Sequence, residues 1–159
     1  MRTRICRLVD RRDICIQTID LNSPGDGEVV IQMGAGGICG SDLHYYNDGG
    51  FGPIKVKEPI ILGHEVSGTV ITLGSQVENL KLGDRVALNP SRPCGDCAYC
   101  QKNIFQHCLN MRFFGSALRF PHEQGAFRET MVVKSGQCFP VRSTTPLAHA
   151  ACAEPLAVC

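Results

Sequence analysis

The chain has no long apolar run, no excess of charge of either sign, no internal repeat and few stretches with a helical pattern. No segment reaches the roughly 20 apolar residues that a membrane-spanning helix requires. Arg2, Arg4, Arg7, Asp10, Arg11 and Arg12 interrupt the first thirteen residues, so the apolar core of a signal peptide is missing. Sixteen basic residues face fifteen acidic ones, for a formal charge of +1. That balance gives no electrostatic reason to expect nucleic acid or an anionic membrane surface as partner. The absence of repeats and low-complexity tracts excludes a solenoid or a disordered tail.

What is present is an ordinary globular mixture, 43% hydrophobic and 19% charged over 159 residues. This length fits one domain, or one lobe of something larger. Ten cysteines stand out. Four of them, Cys94, Cys97, Cys100 and Cys108, follow the spacing C-x2-C-x2-C-x7-C in a loop punctuated by Pro93 and Gly95. Gaps of two residues let successive thiolates converge on one tetrahedral point at a Zn–S distance of about 2.3 Å. The alternative, a disulfide staple, needs an oxidising compartment and a geometry that such gaps rarely allow. A closed four-sulfur site leaves no open position for substrate, so this zinc folds a lobe of about residues 90–112 and does no chemistry. The other six cysteines are scattered, which suits a reducing compartment, and we expect the cytoplasm.

In chain order, residues 4–9 and 14–20 flank the charged turn Asp10-Arg11-Arg12-Asp13 and read as a hairpin. Further strands are expected at Glu28–Met33, Val66–Leu73, Asp84–Leu88, Phe127–Val133 and Gln137–Val141, with glycines punctuating between them. Many short strands with Gly-rich turns predict a mainly β barrel or sandwich from which the cysteine loop is an excursion. A short helix is expected over Ser41–Asn47 with Ser41 as its cap. A second should open at Thr145-Pro146 and stop near Glu154, because Pro155 disfavours helix in the residue before it. The chain ends at Cys159 within an apolar run that carries no stop signal, which reads as a cut.

Two segments carry candidate chemistry: Gly37-Ile38-Cys39-Gly40-Ser41-Asp42-Leu43-His44 and Gly63-His64-Glu65. Each holds a good metal ligand beside glycines, which let backbone approach a site closely. Each also has a plain alternative as buried thiol or hydrogen-bonded core imidazole. If residues 41–47 are helical, Ser41 and His44 share a face, and hydroxyl and imidazole can pass a proton along a path beginning beside Cys39.

The Cys-Gly-Ser-Asp-Leu-His stretch, the Leu-Gly-His-Glu-Val-Ser-Gly stretch, the four-cysteine lobe and the terminal Ala-Glu-Pro-Leu-Ala-Val occur in register. Together they resemble the catalytic domain of zinc-containing medium-chain alcohol and polyol dehydrogenases, over essentially the whole chain. Gly-Ile-Cys-Gly-Ser-Asp-Leu-His-Tyr-Tyr, Ala-Leu-Asn-Pro-Ser-Arg-Pro-Cys-Gly and Met-Arg-Phe-Phe-Gly-Ser-Ala are most similar to the L-idonate 5-dehydrogenase branch. Sorbitol and xylitol dehydrogenases follow closely. The resemblance implies a GroES-like, partly open β-barrel over 1–159 with two zinc ions. It makes Cys39 and His64 ligands of a catalytic zinc, with Glu65 or Glu154 as the third, and Asp42 as hydrogen-bond partner of the ligating imidazole. Ser41 and His44 become the proton relay.

The activity so implied is oxidation of a secondary hydroxyl on a sugar acid or polyol, L-idonate to 5-keto-gluconate first, by an enzyme expected to be a homo-oligomer at full length. Tyr45, Tyr46, Phe113 and Phe114 are candidates to shape the substrate pocket, and Arg112 or Arg119 to receive a carboxylate. The family binds NAD or NADP on a Rossmann domain, and no G-x-G-x-x-G follows a strand in these residues. The cofactor site is therefore expected outside this chain, which alone should be inactive. From another class, a stand-alone zinc-binding module is the rival reading, and it has no use for a second, open metal.

Overall fold

A computed structural model describes residues 1–159. The chain opens on a hairpin of β1 (Arg2–Asp10) and β2 (Asp13–Asp20), paired antiparallel over the charged turn. Then follow β3 (Glu28–Gly36), α1 (Gly40–Asp48), β4 (Gly50–Phe51), β5 (Ile54–Lys55), β6 (Ile60–Ile61) and β7 (Val66–Leu73). The second half comprises β8 (Arg85–Leu88), β9 (Ser91–Arg92), β10 (Arg112–Phe113), β11 (Thr130–Lys134), β12 (Cys138–Pro140), α2 (Leu147–Ala151) and α3 (Ala153–Val158). No helix is long and apolar enough to cross a membrane.

The main sheet has the order β11-β3-β7-β8-β12 and is antiparallel throughout. Val29, Val30 and Ile31 of β3 are all buried, and β-branched residues in succession suit a central strand covered on both sides. A second sheet, β2-β1-β6, meets the first through the isolated bridge between Ile5 and Arg128, so the two curl into a partly open barrel. Val29, Ile31, Val66, Val70, Val86 and Leu88 fill the larger core. A smaller cluster of Leu8, Tyr45, Ile60, Leu62 and Ala117 lies under α1. Full burial of each such aliphatic side chain contributes about 1.5–3 kcal/mol.

Gly68 of β7 sits at a tight crossing. A Cβ there would overlap the carbonyl oxygen of Gln32 on the neighbouring strand. Gly68→Ala is expected to cost about 1–3 kcal/mol by forcing β3 and β7 apart, read as a lowered midpoint of chemical denaturation. An unchanged midpoint contradicts the packing.

Several boundaries differ from the sequence expectation for physical reasons. Strand β3 runs on to Gly36 because its glycines belong to the strand: Gly34 makes room for Leu147 of α2, and Gly36 for Val66 and Phe127. The cap of α1 is Cys39, not Ser41, and the Asp42 carboxylate accepts the Cys39 N–H at 3.0 Å. Strand β11 of the main sheet begins at Thr130, not Phe127. Residues before it are still tied to the other sheet, with Phe127 N–H donating to Leu62 and Phe127 carbonyl accepting from Cys6. Pro146, not Thr145, caps α2, and the helical path does not end at Glu154. It breaks at Cys152 and resumes as α3 with Pro155 third in the new helix, where a missing N–H costs nothing.

Candidate metal centres

The strands β9 and β10 pair Arg92 with Arg112 and Ser91 with Phe113, forming a neck from which residues 93–111 project. Two 3-10 turns, Cys100–Lys102 and Phe105–His107, fold the projection back on itself. The four sulfurs of Cys94, Cys97, Cys100 and Cys108 lie within 4.8 Å of one another. Cys94 Sγ is 3.5 Å from Cys108 Sγ and 4.0 Å from Cys100 Sγ. A tetrahedron with Zn–S bonds of about 2.3 Å has S···S edges of about 3.8 Å, so the donor set fits zinc.

Backbone N–H groups aim at these sulfurs. The Cys94 N–H donates to Cys108 Sγ at 3.2 Å. The N–H groups of Cys100 and Leu109 hold the Cys97 thiol down to about 6. Burial pushes Cys100 up to about 12. Metal binding resolves this uneven sharing of protons, since all four ligands must then be thiolates.

The second centre lies where α1, the β6–β7 connection and the 113–127 segment meet. Cys39 stands at the N-terminal end of α1, and His64 and Glu65 immediately precede β7. The Cys39 sulfur, an imidazole nitrogen of His64 and a Glu65 carboxylate oxygen lie within 4.8 Å of one another. Sulfur, nitrogen and oxygen donors from three residues are the set of an open zinc site, with a coordination position left for substrate.

Three features fix this geometry. Asp42, 3% exposed, accepts the Cys39 N–H through Oδ2 at 3.0 Å and the Gly63 N–H through Oδ1 at 3.1 Å, clamping the segments on either side of the donors. Gly37 leaves the space that the Glu65 carboxylate occupies, and its N–H donates to the Glu65 carbonyl at 2.7 Å. Gly63 adopts φ +92°, where the Phe127 ring leaves no room for a Cβ.

Some expected roles do not match the geometry. Asp42 Oδ1 is 3.9 Å from His64 Nδ1, beyond hydrogen-bond reach, because both carboxylate oxygens serve backbone N–H groups. Ser41 and His44 share a helix without bonding each other. His44 is exposed and turns to Asp48, Nδ1 to Oδ2 3.3 Å. Tyr45 is buried, and its hydroxyl accepts the Ala117 N–H at 3.1 Å, which pins α1 to the 117 segment and leaves no side chain for substrate. Phe114 belongs to the larger core. Its neighbour Phe113 faces the donors instead, with its ring 5.2 Å from the His64 ring.

Arg112 is committed to Glu123, Nη1 to Oε2 3.1 Å, and to the Pro121 carbonyl. Arg119 bonds the carbonyls of Leu109 and Met111. Both guanidinium groups therefore already have partners within the chain. Glu154 lies outside the compact donor set. Burial raises its carboxyl, while His64 lowers it and Glu65 raises it further, so it stands within electrostatic reach of both. With Phe113, Phe139, Val141 and Val158 it lines a largely apolar cleft of about 720 Å³. The sequence reading offered Phe113 and Phe114 alike, because nothing in Phe113-Phe114 tells which ring turns inward. β10 ends at Phe113, and that placement decides it.

A model of the alcohol dehydrogenase GroES-like domain matches residues 25–143. The chain is 44% identical over 160 residues to L-idonate 5-dehydrogenase (NAD(P)(+)) of Escherichia coli K12, covering 99% of this chain and 45% of that protein. The crystal structure of L-idonate 5-dehydrogenase from E. coli superposes with a TM-score of 0.90 at 43% identity, over 99% of this chain and 45% of that one. Sorbitol dehydrogenase of Bacillus subtilis is 37% identical over 147 residues, 92% of this chain and 40% of that protein. The chain thus spans less than half the length of these relatives.

Proposed function

From a chain that belongs to the alcohol dehydrogenase GroES-like domain family, we infer the catalytic-domain portion of a zinc-dependent, NAD(P)-linked oxidoreductase. It acts on a secondary hydroxyl of a sugar acid or polyol, with L-idonate oxidation to 5-keto-gluconate as the leading assignment. The observation that carries this is the convergence of Cys39, His64 and Glu65 as an open donor set beside a separate four-sulfur site. A binding module with one structural metal has no need of the first.

Cys39, His64 and Glu65 would hold a zinc ion that would supply a Lewis acid for the substrate hydroxyl, and a nicotinamide on a further domain would supply the hydride acceptor. The chain's own residues do the rest. Asp42 holds Cys39 and His64 in place through backbone N–H groups. Phe113 covers the His64 ring and excludes water from that side. Ser41, half-buried, and His44, exposed and backed by Asp48, provide steps for the released proton toward solvent. Glu154, on the cleft wall, would orient substrate or stand in for Glu65 as the third zinc ligand.

The substrate is tested by following reduction of NAD and NADP, in the protein carrying this chain with its nucleotide-binding domain, with L-idonate, sorbitol and xylitol. L-Idonate is expected to lead in kcat/KM by about tenfold, equivalent to ~1.4 kcal/mol in the transition state. Faster turnover of a neutral polyol overturns the assignment. One observation favours that second reading: the cleft beside Glu154 has no cation in its lining to meet a carboxylate.

A further inference from the structure

The cleft of about 720 Å³ adjoins the open metal centre, because Phe113 lines it and the Phe113 ring lies 5.2 Å from that of His64. Its volume falls within the range of about 300–1,000 Å³ that small-molecule sites occupy. Glu154 enters its lining from α3. One further residue comes from an unexpected place: Gln106 belongs to the cysteine lobe and lines the same cleft.

Gln106 sits in the 3-10 turn Phe105–His107, directly before Cys108, so the four-sulfur site fixes where its backbone stands. It is exposed. Gln101, Gln124 and Gln137 spend their side-chain amides on backbone groups, whereas the amide of Gln106 has no partner within the chain. Other polar groups in the lining are few. The Asn89 Oδ1 accepts the Ser91 N–H at 2.9 Å, which leaves its Nδ2–H groups to donate. An ionised Glu154 can only accept, and no Lys or Arg lines the cleft. The lining thus offers hydrogen bonds to neutral groups and no counter-charge for an anion.

Resting on the oxidoreductase reading, we propose that Gln106 is a specificity-determining residue whose amide hydrogen-bonds a substrate hydroxyl remote from the carbon being oxidised. A hydroxyl both donates and accepts, and a primary amide offers it both functions without charge. Against largely apolar walls, a substrate lacking that hydroxyl leaves the amide unpaired, so the contact discriminates by more than it adds to affinity. The lobe held by the four cysteines then has a second task, carrying one contact of the substrate site.

The test compares Gln106→Leu with the parent, each in the protein carrying this chain with its nucleotide-binding domain. The substrates are the preferred one of L-idonate, sorbitol and xylitol, and butane-2,3-diol, which carries no hydroxyl beyond the carbon adjacent to the reacting one. On the polyhydroxyl substrate kcat/KM is expected to fall about tenfold, carried by KM, while on the diol it stays within about twofold. Gln106→Asn keeps the amide and should recover part of the loss, which a change of packing alone would not do. Melting midpoint and zinc content should match the parent in both variants. An equal fall on both substrates, or no fall on either, would overturn the role of Gln106 and leave the oxidoreductase reading standing. A parent that oxidises none of these compounds overturns both.

Discussion

His64→Ala is expected to lower turnover by about three to four orders of magnitude, since the Lewis acid it helps hold contributes ~4–5 kcal/mol to the transition state. The measurement is kcat in the protein carrying this chain with its cofactor domain, together with zinc content. His64 is 5% exposed and packs against Phe113, so its loss opens a small gap without touching the cysteine lobe. One zinc per chain should remain, held by Cys94, Cys97, Cys100 and Cys108. A variant that keeps both metals, or keeps its activity, contradicts the role assigned to His64. Cys39→Ser should follow the same pattern, because a hydroxyl is a poorer ligand than a thiolate at neutral pH.

Cys100→Ser should act on stability instead. Residues 93–111 have little core of their own: Tyr99, Phe105 and Leu109 are exposed, while Cys100 and Cys108 are the buried residues. Sulfur ligation supplies what apolar burial elsewhere supplies, and apparent zinc binding in small finger peptides is about 10–16 kcal/mol. Without the fourth ligand the projection should unfold beyond its neck at β9 and β10. A fall of about 10 °C or more in melting midpoint is expected, the shift ~3–4 kcal/mol gives in a domain of this size. Limited proteolysis should cut between Arg92 and Arg112 while the barrel stays intact. Chelator treatment of the parent should reproduce both effects. A variant that melts and resists protease like the parent contradicts the structural role of the lobe.

How far the sequence alone leads depends on what kind of information each feature needs. The cysteine lobe was legible because its ligands are local, and short gaps in C-x2-C-x2-C restrict the geometry by themselves. The hairpin and the β-body were legible for the same reason, from alternation and turn residues. Cys39 and His64 could be brought together only through a family resemblance, since 25 positions separate them and no local pattern reports that α1 begins against the start of β7. The glycines were the honest signal of that approach: Gly37 and Gly63 mark where Glu65 and Phe127 crowd the backbone.

Side-chain allegiance was not legible. Asp42 reads as a partner for imidazole, but two backbone N–H groups compete for its oxygens and win. Tyr45 reads as a pocket residue, yet its hydroxyl meets the N–H of Ala117, 72 positions away. Arg112 and Arg119 read as free cations until Glu123 and three carbonyls take them up. Pro155 reads as a stop, but its position in the first turn of a new helix makes it harmless. For Asp42, Tyr45 and the two arginines, competition for hydrogen-bond partners rather than residue type settles the outcome.

Two candidate metal centres of different chemistry lie in one small barrel, and zinc content with X-ray absorption at the zinc edge measures both at once. Two zinc ions per chain are expected, with five sulfurs from Cys39, Cys94, Cys97, Cys100 and Cys108 shared between them and lighter donors from His64 and Glu65. Cys39→Ser should reduce the metal to one ion with an all-sulfur shell. A single zinc in the parent, all-sulfur and indifferent to Cys39→Ser, would contradict the open centre and with it the oxidoreductase reading.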